Sequence, residues 1–525
     1  MGSSTEHQEM TSVPLGNDAK GMSSAPTASG AALHAKDFLA AHAPALITRR
    51  EYSLGRDIDE SEYARQKVEA RFSTEAARAP ELLQADVQST KAAAIFSTAK
   101  LPADFAGLGD TGWAPPDCSL AAGPSHLIMA INSAWALLDK AGNPILRCEF
   151  SDWFSNVVND AIILNPKVIF DQYAGRWVIA ACAWSTDGRH SWFLLSVSQA
   201  RNPLGPWWNW AFDASLDGEL ETPHRADALG IGVDNAALYL TANMFDQQGA
   251  FQYAKLRVLN KSELYAGQAT RWRDFWNLRN PNGSPVFGLQ PAHTFGMPGV
   301  EYLLNATSDG LSLTQWSLTQ PLSPQPHLTR RTISTVAYHL APNARQPETT
   351  REIDTGDTRL VNAVFRNGLL WAAHTVAANW GEADNVSAIQ WFQINPGAGT
   401  IPQQHIYGAP GLHYFCPTMM IDGQSNLIMV FNRAGETEFP SIRFAGRLST
   451  DPLNTLQASA RIKESRTAGP SLWGHYNGAA VDPNDTKVWV VGQYAADDSE
   501  WATWIGETSY IASSAEGGSK TATRS

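Results

Sequence analysis

The pattern of apolar and polar positions changes character at Trp113. From there one unit recurs: a short strand of small or apolar residues, a tight turn with Asp, Asn, Gly or Pro, then a strongly apolar strand. It is read in CSLAAGPSHLIMAIN (118–132), PKVIFDQYAGRWVIAA (166–181), ALGIGVDNAALYLTAN (228–243) and PAHTFGMPGVEYLLNA (291–306). It returns in RLVNAVFRNGLLWAAHT (359–375), CPTMMIDGQSNLIMVFN (416–432) and NGAAVDPNDTKVWVVGQY (477–494). The turns fall near Pro124, Asp171, Asp234, Pro298, Arg366, Asp422 and Asp482, a step of roughly 60 residues. A third strand follows most turns (HSWFLLSVS, YAKLRVLN, LSLTQWSL, SAIQWFQIN), and a fourth is readable in WNWAF and QQHIYG. Several antiparallel strands per unit, repeated seven times, predict an all-β fold, a seven-bladed β-propeller over 113–510. Long helical patterns between strands, which a β/α barrel needs, are absent.

The inner strands are near-continuous apolar runs, as expected of strands covered on both faces. Composition agrees: 19 Trp, 20 Phe and 13 Tyr stand beside only 17% charged residues. Wedge-shaped sheets need large flat side chains between them, and Trp177, Trp371, Trp391, Trp489 and Trp504 fall on predicted strands. The net charge of −12 argues against a nucleic-acid partner, which requires a basic face. No run of 18 apolar residues predicts a membrane span. The 4 cysteines, Cys118, Cys148, Cys182 and Cys416, have no metal-binding spacing and are read as buried thiols, with a Cys118–Cys148 pair left open.

Residues 1–30 are rich in Ser, Thr, Gly and Ala and are expected to be disordered, as is the tail 511–525. Residues 31–112 read as a helical or irregular arm, with helix over part of 56–84 and a break at Pro80. No basic region followed by an apolar core marks a secretion signal. Sequons at Asn260, Asn282, Asn305, Asn385 and Asn484 decide nothing by themselves.

Longer motifs carry a resemblance. PPDCSLAAGPSHLIMAINSAWALLDKAGN, DTRLVNAVFRNGLLWAAHT, HYFCPTMMIDG, EFPSIRFAGRLSTDP and WGHYNGAAVDPNDTKVWVVGQYA resemble a family of large bacterial seven-bladed propeller proteins, over roughly 113–510. The family is usually secreted and has no established activity, so the resemblance implies a fold and a secreted or cell-surface location rather than a chemistry. The chain departs from it twice: it shows no secretion signal, leaving a cytoplasmic location open, and Trp473-Gly474-His475-Tyr476 stands where the family has Trp-Gly-Asp-Tyr.

In a propeller the innermost strands begin at the mouth of a central channel, where each blade delivers a side chain to one small region. The polar residues there are Asp117, Lys167, His224, Asp227, His293, Arg359, Asn362, Tyr414, His475 and Tyr476. Trp207 and Trp208, if exposed, offer a sugar-stacking surface, whereas His374 reads as a satisfied core histidine. Two sequences resembling Asp-boxes, at 185–192 and 307–310, read as hairpin turns. No nucleophile elbow, zinc motif or phosphate loop is present, and no cofactor motif is evident. A structural calcium on Asp117 or Asp227 stays open.

Two functions from different classes remain. One is a scaffold that binds a polysaccharide or protein at the channel mouth or on loops such as 320–354 and 379–385. The other is a carbohydrate-active enzyme. There Arg359 grips a substrate carboxylate, and His293 or His475 with Tyr476 serve a lyase, or Asp117 and Asp227 a hydrolase.

Overall fold

The computed structural model describes residues 11–12, 27–38, 50–53, 55–78, 80–86, 99–474, 476–497 and 500–510. The expectations for most of 1–30 and for 511–525 lie outside these residues. The described chain is nearly all-β; its α-helices are Glu60–Ala70, Phe150–Trp153 and Lys261–Tyr265. Among the described residues no helix is long and apolar enough to cross a membrane.

Antiparallel meanders follow one another along the chain. The first runs through Ser119–Ala122, His126–Ile131, Ala134–Asp139 and Pro144–Glu149. The second begins with Ala161–Asp171, the third with Arg225–Val233 and the fourth with Gln290–Thr294. Later ones begin with Ala363–Arg366, Leu412–Ile421 and Gly478–Val481. The hairpin turns predicted from sequence fall between the first and second strands of these meanders. Parallel bridges, Val233↔His293 and Ala292↔Ala363, join the third, fourth and fifth meanders into one 14-stranded sheet.

Each meander's first strand lies beside that of its neighbour, and the last returns to the first. At this return Gly478 has no room for a side chain: a Cβ there stands 2.8 Å from the Leu120 backbone nitrogen. Between sheets lie apolar clusters, and Trp177, Trp316, Trp371, Trp391 and Trp489 are fully buried in them. Each such ring removes roughly 200 Å² from water, about 5 kcal/mol before entropy costs. Trp504 packs partly buried at the edge of one cluster. The 4 cysteines are free and buried, which closes the Cys118–Cys148 alternative.

Adjacent sheets are stitched by a recurring polar device. In or just before the first half of an inner strand one residue adopts a left-handed backbone: Asp117 (φ 51°), Asn165 (53°), Ala228 (56°), Gly288 (63°) and Cys416 (54°). Bulges at 164–167, 227–230 and 415–418 accompany it. A bulged amide cannot join the ladder, so the preceding sheet supplies an acceptor. Asn132 Oδ1 accepts from Asn165 N at 2.9 Å, Asn243 Oδ1 from Gly288 N at 3.0 Å, and Thr375 Oγ1 from Cys416 N at 3.2 Å.

The arm over 31–112 differs from the helical or irregular segment expected. It has one α-helix and several edge strands. Ala31–His34 extends the second meander, Leu83–Ala85 the fifth, and Ala99–Gly109 pairs with Glu500–Tyr510 to complete the last. The stretch AKLPADFAGLG carries a proline and two glycines, poor strand formers. An exposed sheet edge with unpaired donors and acceptors recruited it regardless.

Candidate functional site

The meanders' first strands surround a central channel, lined by Ser119, Lys167, Ile231, Gln290, Asn362, Thr418 and Ala479 among others; where these strands begin, the arm crosses its mouth. Its helix starts at Asp59, whose carboxylate accepts from Ser61 N at 2.9 Å and from Glu62 N at 3.4 Å. Tyr63, Lys67 and Ala70, one helical face, are buried. Lys67 Nζ donates to Thr355 Oγ1 at 2.7 Å and to the Gly356 carbonyl at 2.8 Å. Asp354 clamps the arm, accepting from Arg56 Nη2 at 2.6 Å and from the Tyr63 hydroxyl at 2.8 Å. Asn385 donates to the Ala70 and Ser73 carbonyls, both at 2.8 Å. The loops expected to decorate a binding face therefore hold the chain's own arm.

Ahead of the helix, the arm enters the polar cluster itself. Asp227 accepts from the Tyr52 hydroxyl, from Gly55 N at 2.9 Å, from Asn165 Nδ2 at 2.8 Å and from Ala228 N at 2.6 Å. Burial and the Asp227 charge hold the Tyr52 phenol well above its ordinary range. Arg359 forms a two-pronged pair with Asp357, through Nε at 2.8 Å and Nη2 at 2.5 Å, and Nη2 reaches the Gly55 carbonyl at 3.0 Å. Against its burial cost, Asp357 raises the guanidinium and is itself held well below the carboxylate range by Arg359. Among the described residues Arg359 Nη1 has no hydrogen-bond partner.

Asp117 and Lys167 complete this end. Asp117 Oδ2 accepts from Asn132 Nδ2 at 2.9 Å, whereas Oδ1 is buried without a partner. Burial pushes its carboxyl up to about 8, against the pull of Asn132 and Lys167. Burial likewise brings the Lys167 ammonium down to about 8. That ammonium stands 3.7 Å from the ring centroid of Tyr476, whose own φ is 99°, outside the range a bulky residue normally adopts.

The structure thus gathers Asp117, Lys167, Asp227, Arg359 and Tyr476 around one mouth. His475 lies outside the described residues. Asn362 sits along the channel and brackets Met419, donating to its carbonyl at 2.8 Å and accepting from its amide at 3.2 Å. His293 lies toward the opposite end, where its Nε2 meets Gln172 Oε1 at 3.0 Å. His224 is elsewhere, 3.0 Å from the Tyr253 hydroxyl. Tyr414 also points away, donating to Asp86 at 2.9 Å. Trp207 is fully buried and Trp208 packs against Gly267, so neither presents the sugar-stacking face expected if they were exposed. His374 sits in the core between the Thr358 carbonyl and Gln390.

Tyr52, Gly55, Arg56, Tyr63 and Lys67 were absent from the sequence-based site. Their one signal was the alternation of charged and aromatic residues in REYSLGRDIDESEYARQK, which helical periodicity alone cannot connect to a position 300 residues away.

No family model and no curated relative matches the chain. Among solved structures, the Trypanosoma rangeli sialidase in complex with the inhibitor DANA aligns at 8% identity and TM-score 0.36. The alignment covers 78% of this chain, which spans 60% of that one. A protein of unknown function from Dyadobacter fermentans aligns at 10% identity and TM-score 0.36, over 79% of this chain and 100% of that one. A putative exo-beta-1,3-galactanase from Bifidobacterium bifidum aligns at 12% identity and TM-score 0.32, over 58% and 95%. No residue role is carried over from any of them.

Proposed function

We propose that the chain is a seven-bladed β-propeller that binds a ligand or partner, without transforming it, at a mouth of its central channel or on its loop face. The blade count is supported by the recurring meanders and by the neighbouring of their first strands in chain order. It is supported too by Ala99–Gly109, which precedes the first meander yet completes the last, tying the ends of a ring together.

One observation carries the binding reading: the groups that catalysis needs are already engaged within the chain. Asp227 receives four donors, two of them from the arm, and Arg359 is held by Asp357 and Gly55. A carboxylate that already accepts four hydrogen bonds is a weak base for a substrate proton. The partner class is a polysaccharide or a protein, and a secreted or cell-surface location follows from the family resemblance.

A carbohydrate-active enzyme is the second reading, favoured by Asp117. A carboxyl raised to about 8 is protonated at neutral pH and suited to act as a general acid, and its Oδ1 has no partner among the described residues. That reading requires the arm to withdraw. Assaying the full chain against a polysaccharide panel separates the two. The binding reading expects retention of a polysaccharide or protein without turnover. Turnover abolished by Asp227→Ala and Arg359→Ala overturns it in favour of the enzyme.

A further inference from the structure

The channel has a second mouth, at the ends of the inner strands, and no described residue of the arm lines it. There a cavity of about 160 Å³ is lined by Gln172, His293, Phe295, Arg366, Met420 and Ala479 among others. That size suits a single ring, since an apolar cavity of about 150 Å³ binds benzene. Its deeper wall is apolar, with Leu120, Ile169 and Val481.

Its polar groups are ordered by one another. The His293 and Phe295 rings stack at 4.6 Å with 2° between planes, and the Arg366 guanidinium lies 4.4 Å from the Phe295 centroid. Arg366 is neutralised by Asp485 and also donates to the Ile421 carbonyl at 3.0 Å. Asp482, on the same rim, is paired with Lys140 at 2.5 Å. Gln172 Nε2 donates to the Thr294 carbonyl at 2.9 Å, which turns Oε1 toward His293 Nε2. That nitrogen therefore carries the proton, and Nδ1 is a lone-pair acceptor. Among the described residues Nδ1 has no hydrogen-bond partner. Burial brings this imidazole down to about 4, so it is neutral at physiological pH.

We infer that the far mouth binds a small uncharged molecule with an apolar body and a hydroxyl or N–H donor, the donor being read by His293 Nδ1. The inference rests on the ligand-binding reading of the propeller and adds a small-molecule ligand, at one named mouth, to the polysaccharide or protein partner. Ion-paired charges at the rim disfavour a charged ligand, which would have to break Arg366–Asp485 or Lys140–Asp482 to gain a partner.

Phenol and anisole test it, since they share a ring and differ in the hydroxyl donor. Crystals of the full chain soaked with phenol are expected to show it at the far mouth with its hydroxyl on His293. In solution anisole binds about tenfold more weakly, the worth of one hydrogen bond. His293→Phe keeps the stack and removes the acceptor, and brings phenol to the affinity of anisole. Ala479→Phe, on a different strand, fills the cavity and abolishes binding of both. Phenol absent from the far mouth, or bound equally by wild type and His293→Phe, overturns the inference. Polysaccharide turnover by the wild-type chain breaks the binding reading instead, whatever phenol does.

Discussion

The two mouths of the channel are built from the same strands yet leave different room beside their polar residues. Where the inner strands begin, the backbone leaves the ladder at left-handed residues, and the side chains there satisfy stranded amides or hold the arm. Where the strands end, in hairpin turns, Asp171, Asp234 and Asp422 accept from turn amides, but no described arm residue lines the cavity beside His293. A convergence of charged residues is thus a poor guide to an open site when the backbone beside it is irregular. The irregular backbone is itself a consumer of polar groups.

The largest test of this contrast applies one substitution to each mouth. Asp354→Asn removes the charge between Arg56 and Lys67, whose side chains are only 3% and 1% exposed. It is expected to cost about 3 kcal/mol or more in urea unfolding, because two buried cations lose their nearest counter-charge. Asp485→Asn makes the same change at the far mouth, on a side chain 40% exposed, and is expected to cost under about 1 kcal/mol. Equal losses would show that the arm-side cluster is no more structural than the rim of the open cavity.

A smaller effect sharpens the same point through pH. In the unfolded chain a carboxyl like that of Asp117 titrates near pH ~4. In the folded chain it is raised to about 8. Between these values the native state holds a proton that the unfolded state has released. Its contribution to stability is therefore complete below about pH 4 and is lost as pH rises through 8. Asp117→Asn removes that slope: its melting temperature should exceed that of the wild type most at pH 8, by at least about 2 °C, and converge with it near pH 4. His293, lowered to about 4, works in the opposite direction below pH 6.5, and Lys167 acts only above about 8. Comparison with the variant isolates Asp117 from both, and parallel curves would refute its buried protonation.

Much of this architecture was legible in the chain. The turn positions and the apolar strands flanking them follow from local pattern, and so do the buried tryptophans, because both depend on neighbours a few residues away. Even the stitching of sheets left a trace, since the second strands end in AIN, LTAN, AAHT and MVFN. The function of Asn132, Asn243 and Thr375 nevertheless depends on an amide in the next sheet. The candidate site was legible in part. Asp117, Lys167, Asp227, Arg359 and Tyr476 do converge, as inner-strand geometry requires. Tyr414 and His224 do not: each precedes the bulge of an inner strand, where a shift of one or two residues decides whether a side chain meets the channel.

By itself, then, the sequence determined a repeated all-β body with aromatic wedges and a ring of polar residues at its inner-strand starts. Periodicity and composition are local properties, and they suffice for that. Only the tertiary structure decided what the ring is for. Tyr52 meets Asp227 across 175 residues and Arg56 meets Asp354 across 298, and no pattern along the chain ties such partners together. The arm's choice of mouth was made by unpaired sheet edges and buried charges in need of a counter-charge. That choice left the other mouth open.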